Sequence, residues 1–202
     1  GNATSVASGA YHMCALVEDG SVHCWGYMEP GLGDGNNTEA RSNPVQVSLP
    51  NGSSATAITS GASHSCAIVD DGSIYCWGKG AGGRLGNGDE NDRTSPTLVQ
   101  GIGNATHVSA GGEHTCAILQ DGSASCWGYG WYGQLGIGND TQTADDPVAL
   151  EWWTPQPVIG QYNFTDISAG KLHTCAIHNG SALCWGDNNY WQIEGGPATS
   201  KY

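Results

Sequence analysis

Residues Ser63 to Gly78 read S-H-S-C-A-I-V-D-D-G-S-I-Y-C-W-G, and the chain makes this segment four times. The other copies run from His12-Met13-Cys14 to Cys24-Trp25-Gly26, from His114-Thr115-Cys116 to Cys126-Trp127-Gly128, and from His173-Thr174-Cys175 to Cys184-Trp185-Gly186. Two apolar runs, Ala67-Ile68-Val69 and Ser73-Ile74-Tyr75, flank Asp70-Asp71-Gly72, which suits a hairpin with a three-residue loop and glycine in the left-handed position. Counting outward from that loop sets Val69 opposite Ser73 and Cys66 opposite Cys76.

The first and third copies keep this spacing around Glu18-Asp19-Gly20 and Gln120-Asp121-Gly122. The fourth is one residue shorter, but its loop is Asn179-Gly180, the preferred dipeptide for a two-residue turn with both central residues at positive φ. The change of turn type absorbs the deletion, so the strand faces do not slip. Directly opposed strand residues lie close enough for disulfides after small local twist. The expected pairs are Cys14 with Cys24, Cys66 with Cys76, Cys116 with Cys126, and Cys175 with Cys184. Eight cysteines allow about 105 connectivities, so the choice rests on the repeat. Each bridge closes a short loop and contributes on the order of 2–3 kcal/mol. The rival is zinc bound by His-x-Cys and a second Cys-Trp, but the short Cys-x-x-Cys spacing of specific zinc sites is missing.

Length and composition agree with a chain of small stacked units. Within 202 residues the period is about fifty, too short for a unit to stand alone. The repeats run over residues 1–50, 51–101, 102–160 and 161–202. The 32 glycines, low charge content and lack of a long apolar segment describe a loop-rich soluble β protein without a transmembrane helix. A net charge of −13 with six Lys and Arg disfavours nucleic acid and anionic membrane as partners. The chain begins at Gly1 without a methionine or signal peptide, as expected of a mature or excised portion of a longer product.

Sequons for N-linked glycosylation occur at Asn2, Asn36, Asn51, Asn104, Asn139, Asn163 and Asn179, more than chance supplies. Asn2, Asn104 and Asn163 each precede the first cysteine of their repeat by twelve residues. Repeating sequons beside repeating cysteine pairs point to an oxidising, glycosylating route to the cell exterior.

Each unit opens with a short β-like stretch ending in glycine, at Gly9, Gly61, Gly111 and Gly170, five residues before a cysteine. The hairpin follows, then Trp-Gly, then a glycine-rich loop such as Gly82-Gly83-Arg84-Leu85-Gly86 or Gly133-Gln134-Leu135-Gly136. A proline-led apolar run closes the unit at Pro44-Val45-Gln46-Val47, Pro96-Thr97-Leu98-Val99 and Pro157-Val158-Ile159. Four short strands per unit, with turns between them, form a propeller blade. The recurring S/A-G-x-x-H-x-C-A-I/L, D-G-S, C-W-G and G-Q-L-G-x-G elements resemble the repeats of the regulator of chromosome condensation family over nearly the whole chain. The resemblance implies an all-β fold of propeller blades, which in the best-known members close as a ring of seven. It does not imply nucleotide exchange on a small GTPase, which belongs to a few nuclear members.

Two departures stand out. Repeat three carries extra residues, with Asp145-Asp146-Pro147 and a loop Glu151-Trp152-Trp153-Thr154-Pro155, whose tryptophans either pack over the blade edge or form a contact patch for a protein or sugar. Repeat four reaches Gly195-Gly196-Pro197 before any closing apolar strand. His12, His64, His114 and His173 occupy equivalent places, as do Trp25, Trp77, Trp127 and Trp185, so packing roles outweigh catalysis and no catalytic residue is assigned. No cofactor or metal is expected. Calcium at Asn87-Gly88-Asp89-Glu90-Asn91-Asp92 is the weaker alternative, since the loop lacks the glycine and terminal glutamate of the hand motif.

Four blades fall short of the seven-bladed ring, and an open arc leaves blade faces bare. The expected protein is non-enzymatic, extracellular and glycosylated, its repeats assembling head to tail with further copies of itself into a larger object such as a fibre. The alternative is a secreted binding propeller, an adhesin or inhibitor, that uses its loops.

Overall fold

The computed structural model describes residues 1–37, 40–138, 151–160 and 162–193. Its strands fall into four antiparallel sheets in chain order. Blade one contains β1 (Ala3–Ser8), β2 (His12–Val17), β3 (Val22–Tyr27) and β4 (Ala40–Gln46). Blade two contains β5 (Ala55–Ser60), β6 (His64–Val69), β7 (Ile74–Gly78) and β8 (Arg93–Leu98). Blade three contains β9 (Ala105–Ala110), β10 (His114–Leu119), β11 (Ala124–Tyr129) and β12 (Glu151–Pro157). Blade four, among the described residues, has β13 (Phe164–Ala169), β14 (His173–His178) and β15 (Ser181–Gly186). The blades form an open arc. No helix of the described residues is long and apolar enough to cross a membrane.

The hairpins adopt the expected register. Cys14 faces Cys24, Cys66 faces Cys76, Cys116 faces Cys126 and Cys175 faces Cys184. All four pairs are disulfides with Cα atoms 4.0 to 4.1 Å apart, the close approach of a non-hydrogen-bonded antiparallel pair. No described cysteine is free, so the zinc alternative falls. In the three-residue loops Gly20, Gly72 and Gly122 hold φ near 80°, whereas the short fourth loop places Asn179 at φ 49° and Gly180 at φ 76°. Each turn therefore uses the residues whose steric freedom it needs.

The closing strands differ from the expected ones. They start before the proline, at Ala40, Arg93 and Glu151. Opposite Trp25, Trp77 and Trp127 each bulges by several residues, and Pro44, Pro96 and, in place of the expected Pro157, Pro155 sit in the bulge, while Pro157 pairs with Ser125 at the end of β12. A proline there removes no ladder hydrogen bond, which is why edge-strand bulges tolerate it. Glu151-Trp152-Trp153-Thr154-Pro155 is therefore not a loop but the first part of β12, with Trp152 paired to Gly128. Asp145-Asp146-Pro147 and Gly195-Gly196-Pro197 lie outside the described residues.

Burial follows position in the stack. Every residue of β6 is buried, as are five of the six in β10, because a blade covers each face of these sheets. Three clusters fill the spaces between blades, each joining one disulfide to the tryptophan of the next blade: Cys14 and Cys24 with Trp77, Cys66 and Cys76 with Trp127, Cys116 and Cys126 with Trp185.

Candidate functional site

The repeated histidines form bonds between blades. His12 Nε2 lies 2.8 Å from Ser65 Oγ, His64 Nε2 lies 2.9 Å from Thr115 Oγ1, and His114 Nε2 lies 2.9 Å from Thr174 Oγ1. Thr115 Oγ1 donates its proton to the Arg84 carbonyl, and Thr174 Oγ1 donates to the Gln134 carbonyl. The threonine oxygens must then accept from the imidazoles, which fixes His64 and His114 as neutral rings protonated on Nε2. The same two carbonyls accept the indole N–H of Trp127 and Trp185. One loop carbonyl thus ties two side chains of the following blade.

Burial supports this assignment. Desolvation lowers His12 to about 4 and His114 to about 3, and pushes His64 well below its ordinary value, with Arg84 and the neighbouring histidines adding to the effect on His64. The glycine five residues before each cysteine leaves room for the ring. A Cβ at Gly9, Gly61 or Gly111 would collide with the imidazole of its own blade and with a glycine carbonyl of the next. These histidines are joints between blades.

Six of the sequon asparagines, Asn2, Asn36, Asn51, Asn104, Asn163 and Asn179, are exposed, and Asn139 lies outside the described residues. Asn2, Asn104 and Asn163 stand at the start of β1, β9 and β13, beside the hairpin turn of a blade. The threonine of each of these sequons has a structural task. Thr4, Thr106 and Thr165 donate to the carbonyls of Leu16, Ile118 and Ile177 across a bulge, and Thr56 makes the same bond to Ile68 where no sequon exists. The fold itself therefore supplies the hydroxyl residue at a fixed phase, and only the asparagine two residues before it is free to vary.

Trp152 is half-buried against the third cluster, and Trp153 is 44% exposed. Trp153 packs against Gly83 in the loop of blade two, and its carbonyl accepts from Gly88 N–H. On the other side of that loop Tyr129 contacts Gly82 and stacks on the exposed Trp131 at 6.4 Å. In the acidic loop, Asp89 binds Arg93 at 2.6 Å and the Asn91 N–H, while Asp92 binds Lys79 and the Gly80 N–H. The carboxylates of Asp89 and Asp92 are thus engaged by donors of the protein. No group of three metal-binding side chains occurs among the described residues.

The two ends of the arc differ from its interior. On blade one Val6 is 63% exposed and Tyr11 77%, and Met13 and Tyr27 are exposed beside the half-buried Trp25. On blade four Tyr190 is 86% exposed and Trp191 69%, with Ile177 exposed on β14. Met13 occupies the place that Ser65, Thr115 and Thr174 fill in the other blades.

The regulator of chromosome condensation (RCC1) repeat model matches residues 19–68, 71–118 and 121–177, and a second model of that repeat matches 3–29, 55–84 and 105–134. The chain belongs to the RCC1 repeat family. Each of the longer RCC1 matches runs from the hairpin turn of one blade into the second strand of the next, so the sequence unit spans the joint built by the histidines. Among RCC1-repeat relatives, the ultraviolet-B receptor UVR8 of Arabidopsis thaliana is 32% identical over 100 residues, 49% of this chain and 22% of UVR8. The E3 ubiquitin-protein ligase HERC2 of Homo sapiens is 38% identical over 99 residues, 48% of this chain and 2% of HERC2. Prp20p of Saccharomyces cerevisiae shares the fold, with a TM-score of 0.80 and 24% identity over 97% of this chain and 48% of the yeast protein. The chain thus spans about half of Prp20p and under a quarter of the two curated relatives.

Proposed function

We propose that this RCC1-type arc is a non-enzymatic extracellular structural protein that assembles with further copies of itself through its two end faces. The observation that carries the reading is the contrast in burial. Positions covered in the interior reappear at the ends as the exposed Val6 and Met13 on one side and Ile177, Tyr190 and Trp191 on the other. Apolar patches of this kind on a soluble surface mark contact sites. A disulfide in every blade and exposed sequon asparagines favour an oxidising, glycosylating compartment. The net charge of −13 keeps copies apart except where a specific interface overcomes it.

Electron microscopy and sedimentation of the purified native protein test this. Rings or filaments are expected, and Trp191→Asp is expected to disperse them. Compact monomers at all concentrations would sink the reading. Mass measured before and after deglycosylation tests the glycan half separately.

A second reading treats the chain as a binding propeller. Relatives with RCC1 repeats include a receptor, and Prp20p is described by its binding to Gsp1p and histones. Here the exposed Trp131 and Trp153, set about the Gly82-Gly83 loop, supply the surface. Changing both to alanine then abolishes capture of a protein or carbohydrate partner while the blades stay folded.

A further inference from the structure

The first strand of blades two, three and four enters its sheet against the hairpin turn of the blade before it. Ala55 N–H donates to the Gly20 carbonyl, Ala105 N–H to Gly72 and Phe164 N–H to Gly122. The residue just ahead of each donor touches the same turn, since a Cβ at Gly20, Gly72 or Gly122 would strike Ser54, Asn104 or Asn163. The Ser54 and Asn104 carbonyls also accept from Asp70 N–H and Gln120 N–H in the turn of their own blade, and Asn163 rests on His178 of its own. These three residues therefore mark one equivalent point at each of the three joints.

Asn104 and Asn163 are exposed there and open the sequons Asn104-Ala105-Thr106 and Asn163-Phe164-Thr165. Blade two reads Ser54-Ala55-Thr56, so a single residue removes the sequon from its joint. Directly before it stands another, Asn51-Gly52-Ser53, on the short helical turn Pro50–Gly52 that leads into the joint. Asn51 is exposed, and a Cβ at Gly52 would meet nothing within 4 Å. The sequon is displaced by three residues rather than lost.

Local structure does not account for this recurrence. Positive φ suits asparagine at 51 and 104, at 56° and 55°, but it does not extend to Asn163 and asks nothing of the residue two places on. The bonds of Thr106 and Thr165 across the bulge explain the threonines and not the asparagines. Ser53 makes a different bond, to the Pro50 carbonyl. What recurs at every joint is the pair, asparagine with a hydroxyl residue two places on, which is the feature that glycan transfer reads. Beside the displaced sequon a groove of about 440 Å³ is lined by Asp19, Ser21, Gln46, Ser48, Ser53 and Ser54. Its hydroxyls, amide and carboxylate match the hydrogen-bonding groups of a sugar.

All of these positions lie at one end of the strands. Ala105 pairs with Leu119 and Phe164 with His178, at the turn ends of β10 and β14. Asn2, whose carbonyl accepts from Glu18 N–H, and Asn179 in the β14–β15 turn share that end. Asn36 sits in the connection from β3 to β4, at the opposite end.

We propose that Asn51, Asn104 and Asn163 carry N-linked glycans, one at each described joint between blades, in a row along the hairpin-turn side of the arc. This rests on the extracellular reading above and adds which asparagines are modified and which side they shield. Transfer joins the asparagine Nδ2 to C1 of an N-acetylhexosamine and breaks the C1–O bond of a lipid diphosphate-linked oligosaccharide. It releases the lipid diphosphate and one amide proton.

The test is peptide mass spectrometry of the purified native protein after enzymatic release of N-glycans in water labelled with heavy oxygen, which turns each formerly glycosylated asparagine into labelled aspartate. Label is expected at Asn51, Asn104 and Asn163. An unlabelled asparagine at any of the three joints would overturn the row. In protein secreted from cultured eukaryotic cells, Asn51→Gln should lose the mass of one glycan. Adding Ser54→Asn, which gives blade two the motif of residues 104–106, should restore it, and failure to regain a glycan would mean that the joint position is no acceptor. Intact disulfides with bare joints would sink this proposal alone, whereas free thiols in the native protein would sink the extracellular reading beneath it.

Discussion

Trp127 and Trp25 occupy the same place in their repeats and live in different surroundings. Trp127 is fully buried, with its indole N–H bound to the Arg84 carbonyl of the preceding blade. Trp25 is half-buried, for no described blade precedes it. The same division separates the hydroxyl residues Ser65, Thr115 and Thr174, each of which meets a histidine, from Met13, which meets none. A repeat motif therefore states what a residue can do, and the neighbouring blade decides whether it does it. In such stacks stability resides in the joints as much as in the units.

The largest effect separating covered from uncovered positions is expected from acid. His12, His64 and His114 are neutral in the folded protein, with values lowered from the usual 6.5 by burial. Unfolding releases each ring to protonate at its ordinary value. The stability these rings contribute is thus complete above about pH 6.5 and is lost as pH falls toward the folded values of about 4 and 3. Each ring removes up to about 1.4 kcal/mol per pH unit over that window, so several kcal/mol are at stake. Urea unfolding at pH 7, 6 and 5 is expected to show a steep loss, shallower by one ring's share in His64→Gln. A flat profile would mean that the joints tolerate charge.

Truncating the tryptophans comes next. Trp127→Ala should destabilise the protein by about 3–5 kcal/mol, since it empties the middle of a cluster and leaves the Arg84 carbonyl with one donor fewer. Trp25→Ala should cost less than half as much, because a half-exposed ring already gives up part of its burial. Comparable urea midpoints for the two variants would show that the end face is covered by something in solution.

Much of this division was legible in the sequence, and where it was not the reasons are physical. The hairpin register and all four disulfides followed from counting outward from Asp71-Gly72 and Asn179-Gly180, because turn chemistry is local. The bonding of His64 to Thr115 was not visible, since the partner lies 51 residues away in another blade. The phase of this bond was nevertheless present: Met13, Ser65, Thr115 and Thr174 align, and the one residue without a hydroxyl belongs to the end blade. Trp152 and Trp153 read as a loop because the apolar run of the closing strand starts only at Pro157, whereas the strand itself begins at Glu151, before a bulge. The phase of the sequons read as a sign of glycosylation, yet Thr56 shows that the fold recruits the same threonine without an asparagine.

The finest test exchanges the side chains at the joint itself. Thr115→Val keeps the shape but leaves the buried His64 Nε2–H without an acceptor, so a loss of about 1–3 kcal/mol is expected. Met13→Thr places a hydroxyl where no described histidine can reach it, and the unfolding free energy of the dispersed protein should move by less than about 0.5 kcal/mol. In an assembly the outcome differs. If blade four of one copy stacks on blade one of the next as neighbouring blades do, Met13→Thr gives His173 the hydroxyl that His12, His64 and His114 already have, and sedimentation should show tighter association. Unchanged association would mean that copies meet in a register unlike the internal one, with Met13 outside the contact.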